Sequence, residues 1–450
     1  MSDSREINEN TPLMRLAGPM FTEMMLNILI QNIDTLMLSH CSEIAVGAVG
    51  NANQIMSLLI LMFGIIATAT SVVVAQYLGA KRYEMMNTIY SLVMVVNLLF
   101  GMTLSAFIVI LRRPAMTLLN VSPQMMGDAT DYIMIVGGFL FLQACYNVML
   151  QILRCNGYTK VGMYISLAMN VINIVGNYLF LYGSLSFLGL GVKGVAISTV
   201  FARIVALASA VVVFYRFRVG ELHLKLLRPF PGKMLVKMIK IGLPSAGESM
   251  SYNMYQLVLL SFINSIGNEA VIARSYCTPI MSFANVFSNS SAMATQIITG
   301  HLVGALKYDA AQKRVFKTFR VSMPVTIALS TANWLLSPLT LRIFTDNKAI
   351  IAIAFGIMGA NVFVDIGRCM NMTFVCSLKA SGDYIFPLLV GILTMWGLGV
   401  TVGYTAGIIA GLGAMGVIFG TASDECIRGF ILLHRWWSGK WKGRSIVEQK

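Results

Sequence analysis

Apolar runs of 20 or more residues follow one another along the whole 450-residue chain. A run of this length can cross the hydrocarbon core of a bilayer as an α-helix. Inside lipid, every backbone polar group must be bonded within the protein, so only helices and closed barrels are possible. The runs are too long for barrel strands and lack their alternation. The sequence therefore predicts an all-α polytopic membrane protein.

Twelve transmembrane helices are predicted, joined by short polar segments. They cover residues 13–38, 46–76, 86–111, 131–152, 161–183, 193–216, 236–264, 270–300, 314–340, 350–377, 384–409 and 413–434. The first dozen residues are polar, and no small-residue cleavage site follows a short apolar core. We therefore interpret the first helix as a retained span rather than as a signal peptide.

The second half of the chain repeats the first at an offset of 225 residues. Pro19 corresponds to Pro244, and Glu23 corresponds to Glu248. Asp34 departs from this pattern, because its counterpart is Leu259. The two copies of the repeat therefore differ in their acidic residues.

Three further pairs of positions correspond at the same offset: Gly79 with Gly304, Arg154 with Lys379, and Gly157 with Gly382. Six spans per half is an even number, so both halves enter the membrane in the same direction. We predict two six-helix lobes related by a pseudo-two-fold axis along the membrane normal, with a cavity between them. The amino-terminal lobe is placed at 1–216, a cytoplasmic linker at 217–235, and the carboxy-terminal lobe with a short basic tail at 236–450.

The net charge of +14 reflects membrane topology rather than affinity for nucleic acid. With the amino terminus inside, 24 of the 33 Lys and Arg residues lie in cytoplasmic segments and five lie in outer loops. The remaining four are within spans. The positive-inside rule therefore places both termini in the cytoplasm, with Cys41 in the first outer loop.

Several chemical motifs can be set aside. The seven cysteines are scattered without CxxC spacing and are interpreted as small buried hydrophobic residues. GLGVKG (189–194) and GLGAMG (411–416) match the dinucleotide pattern, but each lies in an outer turn between two spans. Such a pattern needs a preceding strand of a βαβ unit. No nucleophile–base or metal constellation indicates an enzyme.

Ionisable residues inside spans are the strongest functional candidates. Asp34 lies in the outer part of the first span, where it is either a functional carboxylate or a marker of the helix end. We favour function, because neighbouring turns are polar. In the fifth span, Asn170, Asn173 and Asn177 share one helix face and either turn toward Asp34 or join helices. A carboxylate with amide and hydroxyl oxygens suits Na⁺, whereas a lone carboxylate suits a proton.

The second half carries its own candidates. Glu248 follows Pro244, where a bent helix frees backbone groups for a site. Asp365 and Arg368 are three residues apart, so they can form an ion pair along one helix face. Asp365 is accordingly either a ligand or half of a structural pair.

Stretches throughout the chain resemble the multidrug and toxic compound extrusion (MATE) transporters. They are IDTLMLSHCSEIAVGAVGNANQ (33–54), VAQYLGAKR (74–82), LRCNGYT (153–159), GLPSAGE (242–248) and LKASGDYIFP (378–387), with the Asn-rich fifth span. The resemblance covers essentially all 450 residues. It implies cation-coupled export of organic, often cationic, compounds by alternating access, using Na⁺ or H⁺.

The resemblance also implies two sites. In the amino-terminal lobe, Asp34 is the acid of a cation site, with Asn173, Asn177 and Thr199 as companions and Gln31 as a possible modulator. In the carboxy-terminal lobe, a cation or substrate site is formed by three residues: Glu248, Asp365 and Asn361. Asn361 stands where the family often has an aromatic residue, and Arg368, a second possible modulator, stands where it usually has Gln.

The sequence is thus interpreted as a secondary multidrug antiporter of the cell inner membrane, not an enzyme. We expect a monomer without cofactors, whose partners are the bilayer, a coupling cation and small organic substrates. The alternative is a lipid-linked oligosaccharide flippase of the same broader superfamily, in which Arg203, Arg274 and Arg368 hold a pyrophosphate.

Overall fold

A computed structural model of the chain describes residues 7–39, 42–184 and 186–447, without the side chains of residues 31, 32, 35, 65, 188 and 224. Within these ranges the chain is helical, with turns between the helices and no β-strand. The predicted roles of the Gln31 side chain and of Cys41 lie outside the described residues.

The described helices form twelve successive spans. They are α1 (Leu13–Ser39), α2 (Glu43–Gly79), α3 (Tyr83–Leu118), α4 (Pro123–Gly137), α5 (Leu140–Cys155), α6 (Thr159–Leu181), α7 (Val192–Arg216), α8 (Gly232–Ile266), α9 (Asn268–Gly304), α10 (Tyr308–Thr340), α11 (Lys348–Ser381), α12 (Ile385–Ile409) and α13 (Gly413–Trp437). α4 and α5 are the two limbs of one span, bent by 45°. The predicted all-α, twelve-span architecture is confirmed.

The fourth span is where the predicted boundaries were least accurate. It was predicted to begin at residue 131, but α4 begins at Pro123, which stands at the start of the helix. Proline is favoured there because its missing N–H group would have no partner in the first turn. The polar composition of this first part hid it from a search for apolar runs.

Hydropathy alone recovers only part of this architecture. Among the described residues, seven helices are long and apolar enough to cross a membrane, or eight when α4 and α5 count as one span. α9 is not among them, because it carries many polar residues. Several of these are buried inside the protein, including Ser288, Ser291, Thr295 and Thr299. A helix whose polar face is turned inward needs no apolar residues there.

The chain forms two compact units. Unit 1 consists of Thr22–Val74 and Arg82–Gly242, and unit 2 contains Ile7–Phe21, Ala75–Lys81 and the described chain from Leu243 onward. α1, α2 and α8 therefore each contribute to both units. The predicted boundaries of the two lobes, at 216 and 236, remain a prediction.

Unit 1 has an apolar core between α2, α3, α4 and α7. Phe63, Ile108, Ile133 and Ala196 are all fully buried or nearly so within it. On another side of this unit, Gly176 of α6 faces Ser198 of α7 so closely that an added Cβ atom would lie 2.2 Å from Ser198 Oγ. A side chain at Gly176 would therefore displace the Ser198 hydroxyl or separate α6 from α7.

Unit 2 is built around α11, which packs against α9, α10 and α13. Gly367 on α11 faces the backbone of α13, where an added Cβ atom would lie 2.5 Å from the nitrogen of Cys426. This close approach brings the residues after Gly367 against the buried acids of α13. The packing of the two helices thus sets up the ionic contacts between them.

Candidate functional site

Unit 1 contains a cavity of about 900 Å³, a size that suits a small organic molecule. Residues from α1, α2, α4, α5, α6 and α7 line it. Its polar and charged lining includes Glu23, Asn27, Asp34, Asn53, Gln54, Tyr132, Gln143, Asn147, Gln151, Arg154, Ser166, Asn170, Asn173, Thr199 and Arg203. Polar groups at this depth in a membrane protein are expensive unless they face water, a ligand or one another. The cavity is therefore the main candidate site.

The carboxylate of Asp34 on α1 lies in this wall and is held by an amide of α6. Asn177 Nδ2 donates a hydrogen bond of 2.9 Å to Asp34 Oδ1. No Lys, Arg or His of the described residues forms an ion pair with Asp34. Its negative charge is therefore stabilised by neutral groups alone, which leaves the carboxylate available to a cation or a proton.

The side-chain amide of Asn173 lies between Asp34 and Thr199. Its nitrogen donates at 3.1 and 3.3 Å to the two carboxylate oxygens of Asp34, and its oxygen accepts from Thr199 Oγ1 at 3.2 Å. The predicted companions of Asp34 are thus brought together.

The close crossing of α6 and α7 at Gly176 positions this cluster. Ser198 Oγ donates to the backbone oxygen of Asn173 at 2.9 Å, which ties the two helices together beside the site. Thr199 is the next residue on α7, and its hydroxyl oxygen lies 3.2 Å from the Asn173 side chain. The sequence identified the polar residues, but it did not predict that α6 and α7 cross at Gly176.

The third predicted amide of the row has a different partner. Asn170 Nδ2 donates to Asn27 Oδ1 at 2.7 Å, and Ser166 Oγ approaches the same oxygen at 3.4 Å. Asn170 and Asn27 therefore link α6 to α1 about two turns from Asp34. The hypothesis that all three amides turn toward Asp34 is wrong for Asn170, because Asn27 lies nearer to it.

Glu23 and Arg154 form a buried ion pair in the same wall. Arg154 Nη2 lies 2.7 Å from Glu23 Oε2, and both side chains are almost fully enclosed. Each charge thus neutralises the other. The internal repeat was the available signal for this pair, because it maps Glu23 and Arg154 onto another acid and another base.

Tyr132 of α4 was missed by sequence reasoning. It is 5% exposed and lines the cavity together with Asp34, Thr199 and Arg203. From sequence alone, a tyrosine at the predicted start of a span is interpreted as an anchor at the membrane interface. Only the position of α4 against α7 places it beside Asp34.

In unit 2, Asp365 is bonded to neutral partners. Ser330 Oγ donates to Asp365 Oδ2 at 2.6 Å, and Asn361 Nδ2 donates to the same oxygen at 2.8 Å. Asp365 is 2% exposed, and its Oδ1 has no hydrogen-bond partner. Asn361 and Asp365 are thus together, as predicted.

The proposed ion pair between Asp365 and Arg368 does not form. Arg368 Nε instead lies 3.3 Å from Glu425 Oε1, and its Nη2 donates to the Tyr252 hydroxyl at 3.1 Å. Residues three apart on a helix are neighbours, but the close approach of α11 to α13 at Gly367 brings Glu425 within reach of Arg368 instead. The structural-pair hypothesis is therefore wrong in its partner.

Glu248 belongs to a different cluster from the one that Asp365 forms with Ser330 and Asn361. Lys379 Nζ lies 2.7 Å from Glu248 Oε2, and Arg428 Nη1 lies 4.0 Å from Oε1. Arg428 also pairs with Asp424 at 3.1 Å and with Glu425 at 3.3 Å. These acids and bases neutralise one another. Glu248 is therefore already paired with basic side chains, whereas Asp34 is not.

A transition-metal site is not indicated by the described residues, which contain no group of three or more His, Cys, Asp or Glu side chains able to hold a metal ion. The oxygen-rich cluster at Asp34 offers one carboxylate, amides and a hydroxyl. Such ligands suit a hard cation with low charge.

A family model described as MatE matches the chain twice, at residues 19–179 and 244–405. The two matches begin 225 residues apart, which is the offset of the internal repeat. Together they cover well over half of the chain.

Known proteins match along nearly the full length. The uncharacterized transporter YisQ of Bacillus subtilis (strain 168) is 34% identical over 97% of this chain and 96% of its own. The probable multidrug resistance protein NorM of Thermotoga maritima is 24% identical, over 97% and 94%. Among solved structures, a MATE protein in the straight conformation has a TM-score of 0.88 at 19% identity, covering 97% of this chain and 98% of that one.

Proposed function

Because this chain belongs to the MATE family of membrane transporters, we propose that it is a multidrug efflux antiporter. It exports small organic compounds, often cationic, in exchange for Na⁺ or H⁺ by alternating access. The name of the NorM relative, a probable multidrug resistance protein, supports this substrate class. Family membership also makes the chain a multi-pass transporter rather than an enzyme.

The observation that carries this proposal is the state of Asp34. It lines a cavity of about 900 Å³ and is bonded to neutral amides rather than to a basic side chain. The five buried acids of the described spans differ from it. Glu23, Glu248, Asp424 and Glu425 each lie in an ion pair, whereas Asp365 is enclosed by Ser330 and Asn361.

Exchange follows if the coupling cation and the substrate favour opposite states of the transporter. A ligand shifts a conformational equilibrium only through its different affinities for the two states. A cation or proton at Asp34 neutralises the carboxylate, and its release restores the negative charge that the amides of Asn173 and Asn177 stabilise. A cationic group of the substrate competes for the same carboxylate.

We further propose that the protein acts as a monomer in the cell inner membrane, with both termini in the cytoplasm and no cofactor. The distribution of basic residues supports this orientation. The Asp34 cluster supports either coupling ion, since its oxygens suit Na⁺ and its carboxylate suits a proton.

Transport into sealed vesicles tests the proposal. Purified protein is reconstituted into proteoliposomes, and uptake of ethidium, an organic cation, is followed under an imposed Na⁺ gradient or an imposed pH gradient. We expect accumulation driven by one of the two gradients and its loss in Asp34→Asn. Absence of ethidium transport under both gradients contradicts the proposal.

The flippase alternative has lost part of its basis. It relied on three arginines, and Arg368 is held by Glu425 and Tyr252. Ethidium transport in vesicles that contain no lipid-linked oligosaccharide would favour the antiporter.

A further inference from the structure

Arg203 is a partly buried cation, and no acidic partner for it lies among the described residues. It projects from α7 into the wall of the unit 1 cavity, and its Nη1 is buried without a hydrogen-bond partner. No carboxylate of the described residues forms an ion pair with it. Taking a charge out of water without compensation is costly, by several kcal/mol per ion in proteins. A bound anionic ligand would compensate this cost.

The internal repeat provides a comparison within the same chain. The counterpart of Arg203 is Arg428, which is paired with Asp424, Glu425 and Glu248. At the two equivalent positions on α7, the first half has Thr199 and Val200 in place of the acids. The third acid, Glu248, corresponds to Glu23, which forms an ion pair with Arg154 rather than with Arg203. The repeat retains the arginine but not its neutralising partners.

Arg203 also lies close to the Asp34 cluster. It stands one helical turn after Thr199, whose hydroxyl bonds to Asn173 beside Asp34. Tyr132 lines the same cavity as Asp34 and Arg203. The cavity therefore presents one carboxylate and one guanidinium, each without a charged partner among the described residues, on one wall.

We propose that Arg203 binds an anionic group of the transported compound, so that the unit 1 cavity accepts zwitterionic substrates. The cationic group of such a compound occupies Asp34, and its carboxylate is bound by the Arg203 guanidinium. A guanidinium is well suited to this role because its planar donors match a carboxylate. This inference rests on the proposed export function and adds a second contact to it.

Two dyes that differ in one charge test the inference. Tetramethylrhodamine is a zwitterion, and its methyl ester has the same ring system with the carboxylate charge removed. Binding of each dye to the purified full-length protein is measured by fluorescence anisotropy. In Arg203→Gln we expect affinity for the zwitterion to fall roughly tenfold to a hundredfold, the range of a charge-assisted hydrogen bond. Affinity for the ester should stay the same or rise.

Further variants separate binding from structure. Val200→Glu places an acid three residues before Arg203, as Glu425 stands before Arg428, and should remove the preference for the zwitterion while keeping the arginine. Arg113→Gln removes an exposed charge from the same unit and should leave both affinities unchanged. Arg203→Lys should retain part of the preference.

The outcomes are distinct. Equal loss of both dyes in Arg203→Gln, or a wild-type protein that does not prefer the zwitterion, overturns the role of Arg203. If the wild type still exports the ester in vesicles, the proposed efflux function stands despite that result. If it exports neither dye, the efflux function itself fails.

Discussion

Glu23 and Arg154 lie 2.7 Å apart in unit 1, and their repeat counterparts Glu248 and Lys379 lie 2.7 Å apart in unit 2. The four residues come from four different helices, yet the offset of 225 maps one pair onto the other. The chain thus contains the same ionic link twice. Duplication has preserved this contact, whereas the acids around it have diverged.

The first prediction concerns this link. Glu23→Gln strands the buried guanidinium of Arg154, and Arg154→Gln strands Glu23, so each should lower stability by roughly 3–5 kcal/mol. Arg154→Lys should be far milder, because the second half uses Lys379 at the same position and distance. Thermal unfolding of the purified variants in one detergent measures the difference. A double change, Glu23→Gln with Arg154→Gln, that is as destabilising as the sum of the single changes would contradict the pairing.

The second prediction concerns the charge at the cation site. Asp34→Asn should reduce cation-driven transport to background while leaving expression and thermal stability near those of the wild type. Asn173→Ala and Asn177→Ala should weaken the dependence on cation concentration more mildly, since each removes one neutral group. Asn170→Ala is the matched control, because its amide bonds to Asn27 instead of Asp34. Full transport by Asp34→Asn would restore the view of Asp34 as a helix-end marker.

The third prediction concerns the helix crossing that builds this site. In Gly176→Ala the new methyl group would meet Ser198 Oγ at 2.2 Å, so either Ser198 must rotate away from the Asn173 carbonyl or α6 and α7 must separate. We expect a loss of about 1–3 kcal/mol in stability and a raised cation concentration for half-maximal transport. Gly127→Ala serves as the control, since nothing lies within 4 Å of its added Cβ atom. An unchanged cation dependence in Gly176→Ala would show that the crossing does not position Asn173.

The fourth prediction concerns the partner of Arg368. Arg368→Gln and Glu425→Gln should each lower the melting temperature, and the double variant should recover part of the loss, because the two side chains are 3.3 Å apart. When Arg368→Gln is combined with Asp365→Asn, the melting temperature should recover much less, because these two side chains form no ion pair. Recovery in the second combination but not in the first would reverse the assignment.

The fifth prediction concerns topology, and it rests on the 24 basic residues in the predicted cytoplasmic segments against five in the predicted outer loops. A reporter fused after Lys450 should be active only as a cytoplasmic fusion. Cys41 should react with a membrane-impermeant thiol reagent added from outside. A Cys41→Ser variant provides the labelling control, and labelling from the cytoplasmic side alone would invert the arrangement.

Sequence patterns were sufficient for the helices and for the inventory of polar residues inside them. Apolar length predicts a span, because lipid forces the backbone to bond within its own helix. The offset of 225 identified the duplicated architecture. Asp34, Asn173 and Asn177 were selected for the same reason: polar groups are rare in spans unless they face a site or another polar group.

The pairing of those residues was decided only by tertiary structure. Arg368 is three residues from Asp365 but bonds to Glu425, which is 57 positions away on another helix. Asn170 shares a face with Asn173 but bonds to Asn27 on α1. Helical periodicity specifies which residues share a face, whereas close helix crossings such as those at Gly176 and Gly367 specify what that face meets. In a low-dielectric interior each buried charge binds the partner that the packing brings within reach, and for Arg203 the described packing brings no acidic partner.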